Sequence, residues 1–173
     1  MSGKKTVYYW DSCVYVAWLK QESAHADYLD SINAIIESNK NGQCTIITST
    51  ITMTEVLSTK FDNNQQEREF VDCFSFKKHL TFDVDPPVAM KARELRDYYI
   101  SNPITDRKLL APDAIHLATA IIYTASEFHT FDNGESKDNQ GKKGIPLLDL
   151  GSKVGTYSLK ICKPFMPHES KLI

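Results

Sequence analysis

Along this chain, short continuous apolar runs take turns with stretches whose apolar residues recur every three to four positions. That is the pattern of strands alternating with helices. Residues 6–10 are β-branched or aromatic without interruption, as a strand covered on both faces requires. The run stops at Asp11-Ser12, after which Val14, Ala17, Trp18 and Leu19 fit one helical face. Ala26, Leu29, Ile32, Ile35 and Ile36 predict an amphipathic helix over 24–38, broken by Asn41-Gly42. Residues 44–48 read as a second buried strand. Thr50 or Thr52 is placed to cap a helix running through Lys60, since a threonine oxygen can accept from an orphan amide. Residues 65–78 have the composition of another helix, and 80–82 of a short strand.

Asp85-Pro86-Pro87 opens the next predicted helix, with Val88, Ala92, Leu95 and Tyr99 on one stripe and Pro103 beyond its end. Ala111-Pro112-Asp113 opens the clearest helix, carrying Ala114, Ile115, Leu117, Ala118, Ala120 and Ile121. A fourth strand is expected over 128–131, then a polar loop over 133–144. Residues 145–150 and 157–162 are left to supply a last strand and a trailing edge piece. Strands alternating with helices imply an α/β class: one domain with a parallel sheet of about four to five strands and helices on both faces. The domain is expected over 1–150, with 151–173 as a C-terminal extension packed on it.

A length of 173 residues suits one such core. The 20 Lys+Arg against 22 Asp+Glu leave a formal charge of −2, which excludes affinity for nucleic acid through bulk positive charge. Binding of a polyanion would need a local site. Cys13, Cys44, Cys73 and Cys162 are too far apart for a Cys-x-x-Cys metal or redox motif, and read as ordinary buried thiols. Asp11 cuts short the only apolar stretch near Lys4 and Lys5, and no run reaches the roughly 20 residues of a membrane span. A cytoplasmic location is expected.

Ligands of an open parallel sheet sit beyond the carboxyl ends of its strands. Asp11 ends the first strand and Asp132 the fourth; Asp113 lies in the first turn of its helix and Glu55 early in the helix after the second strand. Each alone is equally a turn or cap residue. Together they fall on one rim, and Glu55 sits among Met53, Val56 and Leu57, apolar company for a charge in need of a partner. Four converging carboxylates repel by several kcal/mol unless neutralised. Hard divalent cations with oxygen ligands, Mg²⁺ or Mn²⁺, are the usual remedy.

The ordered set also carries a resemblance. Tyr9-Trp10-Asp11-Ser12-Cys13-Val14, Thr48-Ser49-Thr50-Ile51-Thr52-Met53-Thr54-Glu55-Val56, Asp113-Ala114-Ile115-His116-Leu117-Ala118-Thr119-Ala120 and Thr130-Phe131-Asp132 resemble the PIN-domain family, particularly VapC-type toxin ribonucleases. The resemblance covers residues 7 to about 150. It implies a PIN-like nuclease domain that binds one or two Mg²⁺ or Mn²⁺ ions through Asp11, Glu55, Asp113 and Asp132 and hydrolyses RNA. Ser12 and Thr130 match the small hydroxyl residues that support such a cluster. A cognate antitoxin and a homodimer are implied as partners, and the loop over 134–144 and the tail beyond 150 depart from the family pattern. In-line hydrolysis assisted by two ions would give a 5′-phosphate and a 3′-hydroxyl.

By proximity, Arg107, Lys108, Lys137, Lys142 and Lys143 are candidates for the RNA backbone. His116 lies three positions after Asp113 and could be a base or ligand, but is read as a partly buried packing residue. Tyr15 and Trp18 read as core or dimer contacts. No Gly-x-x-x-x-Gly-Lys-Ser/Thr, Gly-x-Gly-x-x-Gly or Gly-x-Ser-x-Gly motif offers another chemistry. The expected activity is therefore a metal-dependent endoribonuclease, the toxin of a toxin–antitoxin pair. The alternatives are a silent PIN-like scaffold for RNA or protein, and a PIN nuclease of RNA processing. With four of the 22 acids taken by ions, the remaining acids would be outnumbered by the 20 bases.

Overall fold

The computed structural model describes residues 5–134 and 144–166. Its elements are β1 (Val7–Trp10), α1 (Ser12–Lys20), α2 (Ala26–Lys40), β2 (Thr45–Ser49), α3 (Ile51–Glu55), α4 (Asn64–Cys73), β3 (His79–Phe82), α5 (Pro86–Ser101), α6 (Ala111–Ile122) and β4 (Glu127–His129). A two-stranded hairpin, β5 (Lys153–Val154) and β6 (Tyr157–Ser158), precedes the last strand β7 (Lys160–Cys162). The main sheet has the order β3-β2-β1-β4-β7, every neighbouring pair parallel.

Alternation along each strand divides the core into two layers. Tyr9, Ile47, Phe128 and Ile161 face one layer, where α5 and α6 supply Val88, Ala92, Leu95, Tyr99, Ala114 and Leu117. Tyr8, Trp10 and Ile46 face the other, closed by Val14 and Tyr15 of α1, Ile32, Ile35 and Ile36 of α2 and Phe70 of α4. Being apolar on both sides, the strands can place charge only at their ends.

Helix starts follow the expected chemistry. Asp85 caps α5 by accepting from the Val88 amide at 2.9 Å, with proline in the first turn. The stripe Val88, Ala92, Leu95 and Tyr99 is the buried face of α5. Four expected elements come out differently. The helix placed from Thr50 or Thr52 through Lys60 is α3 alone: Thr50 makes no capping bond, and Val56 leaves helical geometry. Downstream, Asn63 accepts from the Gln65 and Gln66 amides, so a separate helix starts there. The helix expected over 65–78 ends at Cys73, because the chain must turn to deliver β3. There the Asn39 side chain of α2 donates to the Lys78 carbonyl at 2.6 Å. Residues 145–150 form no strand; Leu147–Leu150 is a 3-10 turn, and the fifth strand comes from β7. The fourth strand also ends early, at His129 rather than at position 131.

The topology decides where a site can sit. From β1 the chain proceeds outward through β2 and β3, then returns to place β4 on the other side of β1. Connections leave β1 and β4 in opposite directions, and the crevice beyond their carboxyl ends lies between Asp11 and the segment 130–132. No helix among the described residues is long and apolar enough to cross a membrane.

Leu95 is 1% exposed in α5, whereas Ile100 on the same helix is 64% exposed. Leu95→Ala is expected to lower unfolding stability by about 2–5 kcal/mol, and Ile100→Ala by no more than about 0.5 kcal/mol. Urea denaturation of the two variants checks the assigned faces of α5.

Candidate active site

Asp11 stands at the junction of β1 and α1 and is almost wholly buried. It caps α1: its Oδ1 accepts from the Ser12 amide at 2.6 Å and from the Ser12 hydroxyl at 3.2 Å. Its Oδ2 accepts from the Thr130 hydroxyl at 2.7 Å and the Cys13 thiol at 3.2 Å. The Thr130 oxygen in turn accepts from the Asp132 amide at 3.0 Å, so one hydroxyl ties the ends of β1 and β4 together. Ser12 and Thr130 thus both fix the orientation of the Asp11 carboxylate. Cys13 completes the clamp by accepting from the Phe131 amide at 3.2 Å.

Glu55, the last residue of α3, points at α6. Its Oε2 lies 2.7 Å from His116 Nε2, and that nitrogen is 3.7 Å from Asp11 Oδ1. The other ring nitrogen, Nδ1, is 2.6 Å from the Tyr9 hydroxyl in the core of the sheet. His116 is therefore buried, as expected, but it is not a mere packing residue. Burial alone pushes its pKa down; the bond from Glu55 and the fields of Asp11, Glu55 and Asp113 outweigh that and raise it. Ligand atoms of Asp11, Glu55 and His116 lie within 4.8 Å of one another.

Asp113, in the first turn of α6, feels the same field. Burial raises its carboxyl first, then the charges of Asp11 and Asp132, with Glu55 adding and His116 opposing, to about 7. Asp132 is also raised, by burial and by Asp11 and Asp149, against two backbone amides that stabilise its charge. Those amides are Gly134 at 2.9 Å on Oδ1 and Leu147 at 3.0 Å on Oδ2. Asp132 thus anchors the loop segments on either side of 135–143 while lying in the same electrostatic cluster. Gly144 approaches Asp113 so closely that a Cβ there would meet Asp113 Oδ2 at 3.1 Å and Leu110 at 3.1 Å. Any larger residue there would make the Asp113 or Leu110 side chain give way by a few tenths of an ångström.

The four sequence-identified acids are thus brought into one field, the tightest contact being Asp11, Glu55 and His116. No lysine or arginine is ion-paired to any of them among the described residues. Four carboxylates in one field, one of them driven towards neutrality, supply the oxygen donors that a hard divalent cation prefers, with His116 Nε2 beside Asp11 and Glu55. The basic candidates divide. Arg107 is half-buried, with Nη1 donating to the Gly134 carbonyl at 3.1 Å; Lys108 is exposed, and its backbone pairs with Gly144. Lys137, Lys142 and Lys143 lie outside the described residues. Tyr15 is core, bonded to His79 at 2.7 Å. Sequence reasoning missed Tyr9, Cys13 and the bonding role of His116. The available signal was spacing: Tyr9 and Cys13 flank Asp11 at two positions, and His116 follows Asp113 by three.

The PIN domain family model matches residues 8–137. No curated protein matches the chain by sequence. Among solved structures, the fold is similar to VapBC2 of Rickettsia felis bound to a promoter DNA fragment, with a TM-score of 0.54 at 19% identity, covering 74% of this chain and 89% of that one. It is similar to a toxin–antitoxin complex from Klebsiella pneumoniae, with a TM-score of 0.53 at 19% identity over 91% of this chain and 98% of that one. The Mycobacterium tuberculosis toxin VapC20, which cleaves the sarcin–ricin loop, gives 0.54 at 12% identity over 72% and 89%. At these identities the likeness is one of fold.

The Asp113 carboxyl titrates near 7 in the fold against about 3.9 in an unfolded chain, so folding favours its protonated form. Its contribution to stability is full below about pH 4 and is lost as pH rises through about 7. In chelator, Asp113→Asn is therefore expected to exceed the wild type in stability at about pH 8. The gain is at most about 4 kcal/mol, three pK units at about 1.36 kcal/mol each. The difference should close towards about pH 4. Urea unfolding across this range checks it, and a gap independent of pH would refute the electrostatic account.

Proposed function

This chain belongs to the PIN-domain family, and we propose that it is a divalent-cation-dependent endoribonuclease, the toxin of a toxin–antitoxin pair. The observation that carries the reading is the convergence of Asp11, Glu55, Asp113 and Asp132 at the switch point of the sheet without a lysine or arginine partner among the described residues. One or two Mg²⁺ or Mn²⁺ ions held by these carboxylates would supply an activated water and neutralise the scissile phosphate, leaving a 5′-phosphate and a 3′-hydroxyl.

The chain's own residues have distinct tasks in this reading. Asp11 is held in one orientation by Ser12, Cys13 and Thr130. Glu55, on a one-turn helix, is aimed by His116, which Tyr9 fixes from below. His116 acts as a positioning residue: both ring nitrogens are engaged by protein groups, leaving neither free to take a proton from water. Asp113 and Asp132 complete the donor set, and Asp132 also holds the loop ends beside the crevice. Arg107, Lys108, Lys142 and Lys143 are the basic groups assigned to the RNA backbone. Lys108, exposed and just upstream of α6, is the best placed of those described.

An antitoxin partner is supported by the toxin–antitoxin complexes whose fold this chain shares, and an RNA substrate by the loop-cleaving toxin. Met53 and Leu57, two positions on either side of Glu55, are exposed large apolar residues beside the acids. They suit a protein partner that covers the site. A homodimer and a cytoplasmic location complete the proposal.

Asp113→Asn is expected to abolish Mg²⁺- or Mn²⁺-dependent RNA cleavage while the protein stays folded. Mn²⁺ should raise the melting temperature of the wild type and much less that of the variant. Sequencing 5′ ends of RNA treated with each protein reads the activity. Cleavage retained by the variant overturns the assignment, and neither cleavage nor a Mn²⁺ shift in the wild type favours the scaffold. Lys108→Ala should weaken RNA binding and reduce the slope of log affinity against log salt by about 1. An unchanged slope in a filter-binding titration removes Lys108 from the footprint.

A further inference from the structure

Strands β4 and β7 carry a second group of ligand-type side chains, outside the acid cluster. In their parallel ladder Glu127 pairs with Lys160 and His129 with Cys162, so the four side chains leave the sheet on one face. Glu127 Oε2 lies 3.0 Å from His129 Nε2 and 3.7 Å from Cys162 Sγ, and the three ligand atoms fall within 4.8 Å of one another. The second carboxylate oxygen, Oε1, accepts from the Lys160 ammonium at 2.6 Å. Because the ion pair uses Oε1, a cation on Oε2 would leave it intact.

The Glu127–Cys162 separation of 3.7 Å is that of a coordination edge, and the 3.0 Å between Glu127 and His129 is a hydrogen bond that would lengthen by a few tenths of an ångström around an ion. Metal–ligand lengths of about 2.0–2.3 Å around tetrahedral Zn²⁺ give ligand–ligand edges of about 3.3–3.7 Å. The His129 ring is fully buried and stacked on Tyr8, with centroids 4.8 Å apart, so its position is set. Its other nitrogen, Nδ1, has no hydrogen-bond partner among the described residues, so no second bond holds Nε2 to its present role. Burial holds the imidazole below its ordinary pKa, against the pull of Glu127. Cys162 and Glu127 are partly exposed, which opens a path from solvent. A thiol, an imidazole and a single carboxylate oxygen form a borderline-soft donor set. Such a set discriminates against Mg²⁺ and Mn²⁺, the ions that suit the all-carboxylate cluster.

We infer that Glu127 Oε2, His129 Nε2 and Cys162 Sγ form a site for one Zn²⁺-class ion, with its fourth position open to water. On binding, the Cys162 thiol releases its proton to solvent and the His129 proton moves to Nδ1. The ion would clip the edge strand β7 to β4. It would thereby stiffen the end of β4, one residue before the Thr130 hydroxyl that ties Asp11 to Asp132.

Metal-free full-length protein titrated with Co²⁺ as a spectroscopic probe tests this directly. One equivalent should produce a thiolate-to-cobalt charge-transfer band that persists in Cys13→Ser and disappears in Cys162→Ser. The Cys13 control is needed because that thiol touches Asp11. Zn²⁺ at a hundredfold excess over its Kd should raise the melting temperature of the wild type by about 5–10 °C. Cys162→Ser should lose this part of the rise and Glu127→Gln should lessen it, any shift left in both being that of the acid cluster, and Glu127→Gln keeps the site readable should Cys162→Ser fold poorly. No charge-transfer band in the wild type, or a band lost with Cys13 and kept without Cys162, overturns the inference.

Discussion

Everything at the carboxyl rim of the sheet depends on concentrating carboxylates at one point with no lysine or arginine between them among the described residues. Like charges at such range raise one another's pKa values, and burial compounds the effect by withdrawing water. Asp113, pushed up to about 7, records the sum. The fold tolerates the arrangement because, among the described residues, three of the acids are held by polar groups other than lysine or arginine. Asp11 has a helix start and two side-chain donors, Asp132 two loop amides, and Glu55 a histidine. What remains unbalanced is the field itself, which is the property that a divalent cation and a polyanionic substrate would exploit.

Three buried histidines show how partners, rather than burial, decide the character of a group. His79, bonded to the neutral Tyr15 hydroxyl, is driven by burial down to about 4. His129 stays below its ordinary value even with Glu127 beside it, because one carboxylate does not offset its desolvation. His116 is as deeply buried, yet Glu55, Asp11 and Asp113 together reverse the sign. The first is a neutral-core group, the second lies within reach of Cys162 with its charged form disfavoured, and the third has its charged form favoured by the acids around it.

Much of this was legible in the chain before any coordinates. The α5 stripe of Val88, Ala92, Leu95 and Tyr99 emerged as the buried face, and the proline-led start of α6 set Asp113 in its first turn. These features are local, written in periods of 3.6 and 2 and in cap chemistry. Where local signals were weak, expectation and structure parted. The segment 145–150 has the composition of a strand, but β7 takes the edge position beside β4, and Leu147 instead gives its amide to Asp132. The helix expected through Lys60 ends at Glu55, where Val56 leaves helical geometry, and Asn63 caps a separate helix downstream.

The sequence by itself determined the fold class, the order of the strands' terminal acids and the residue types able to bind a hard cation, because composition and periodicity act between near neighbours. Only the tertiary structure decided that Tyr9, 107 positions from His116 in the chain, would hold that ring against Glu55. It alone brought Glu127 and Cys162 together across 35 positions. Such contacts join residues far apart in the chain, and they depend on strand order and register, which neither a local pattern nor an isolated motif encodes.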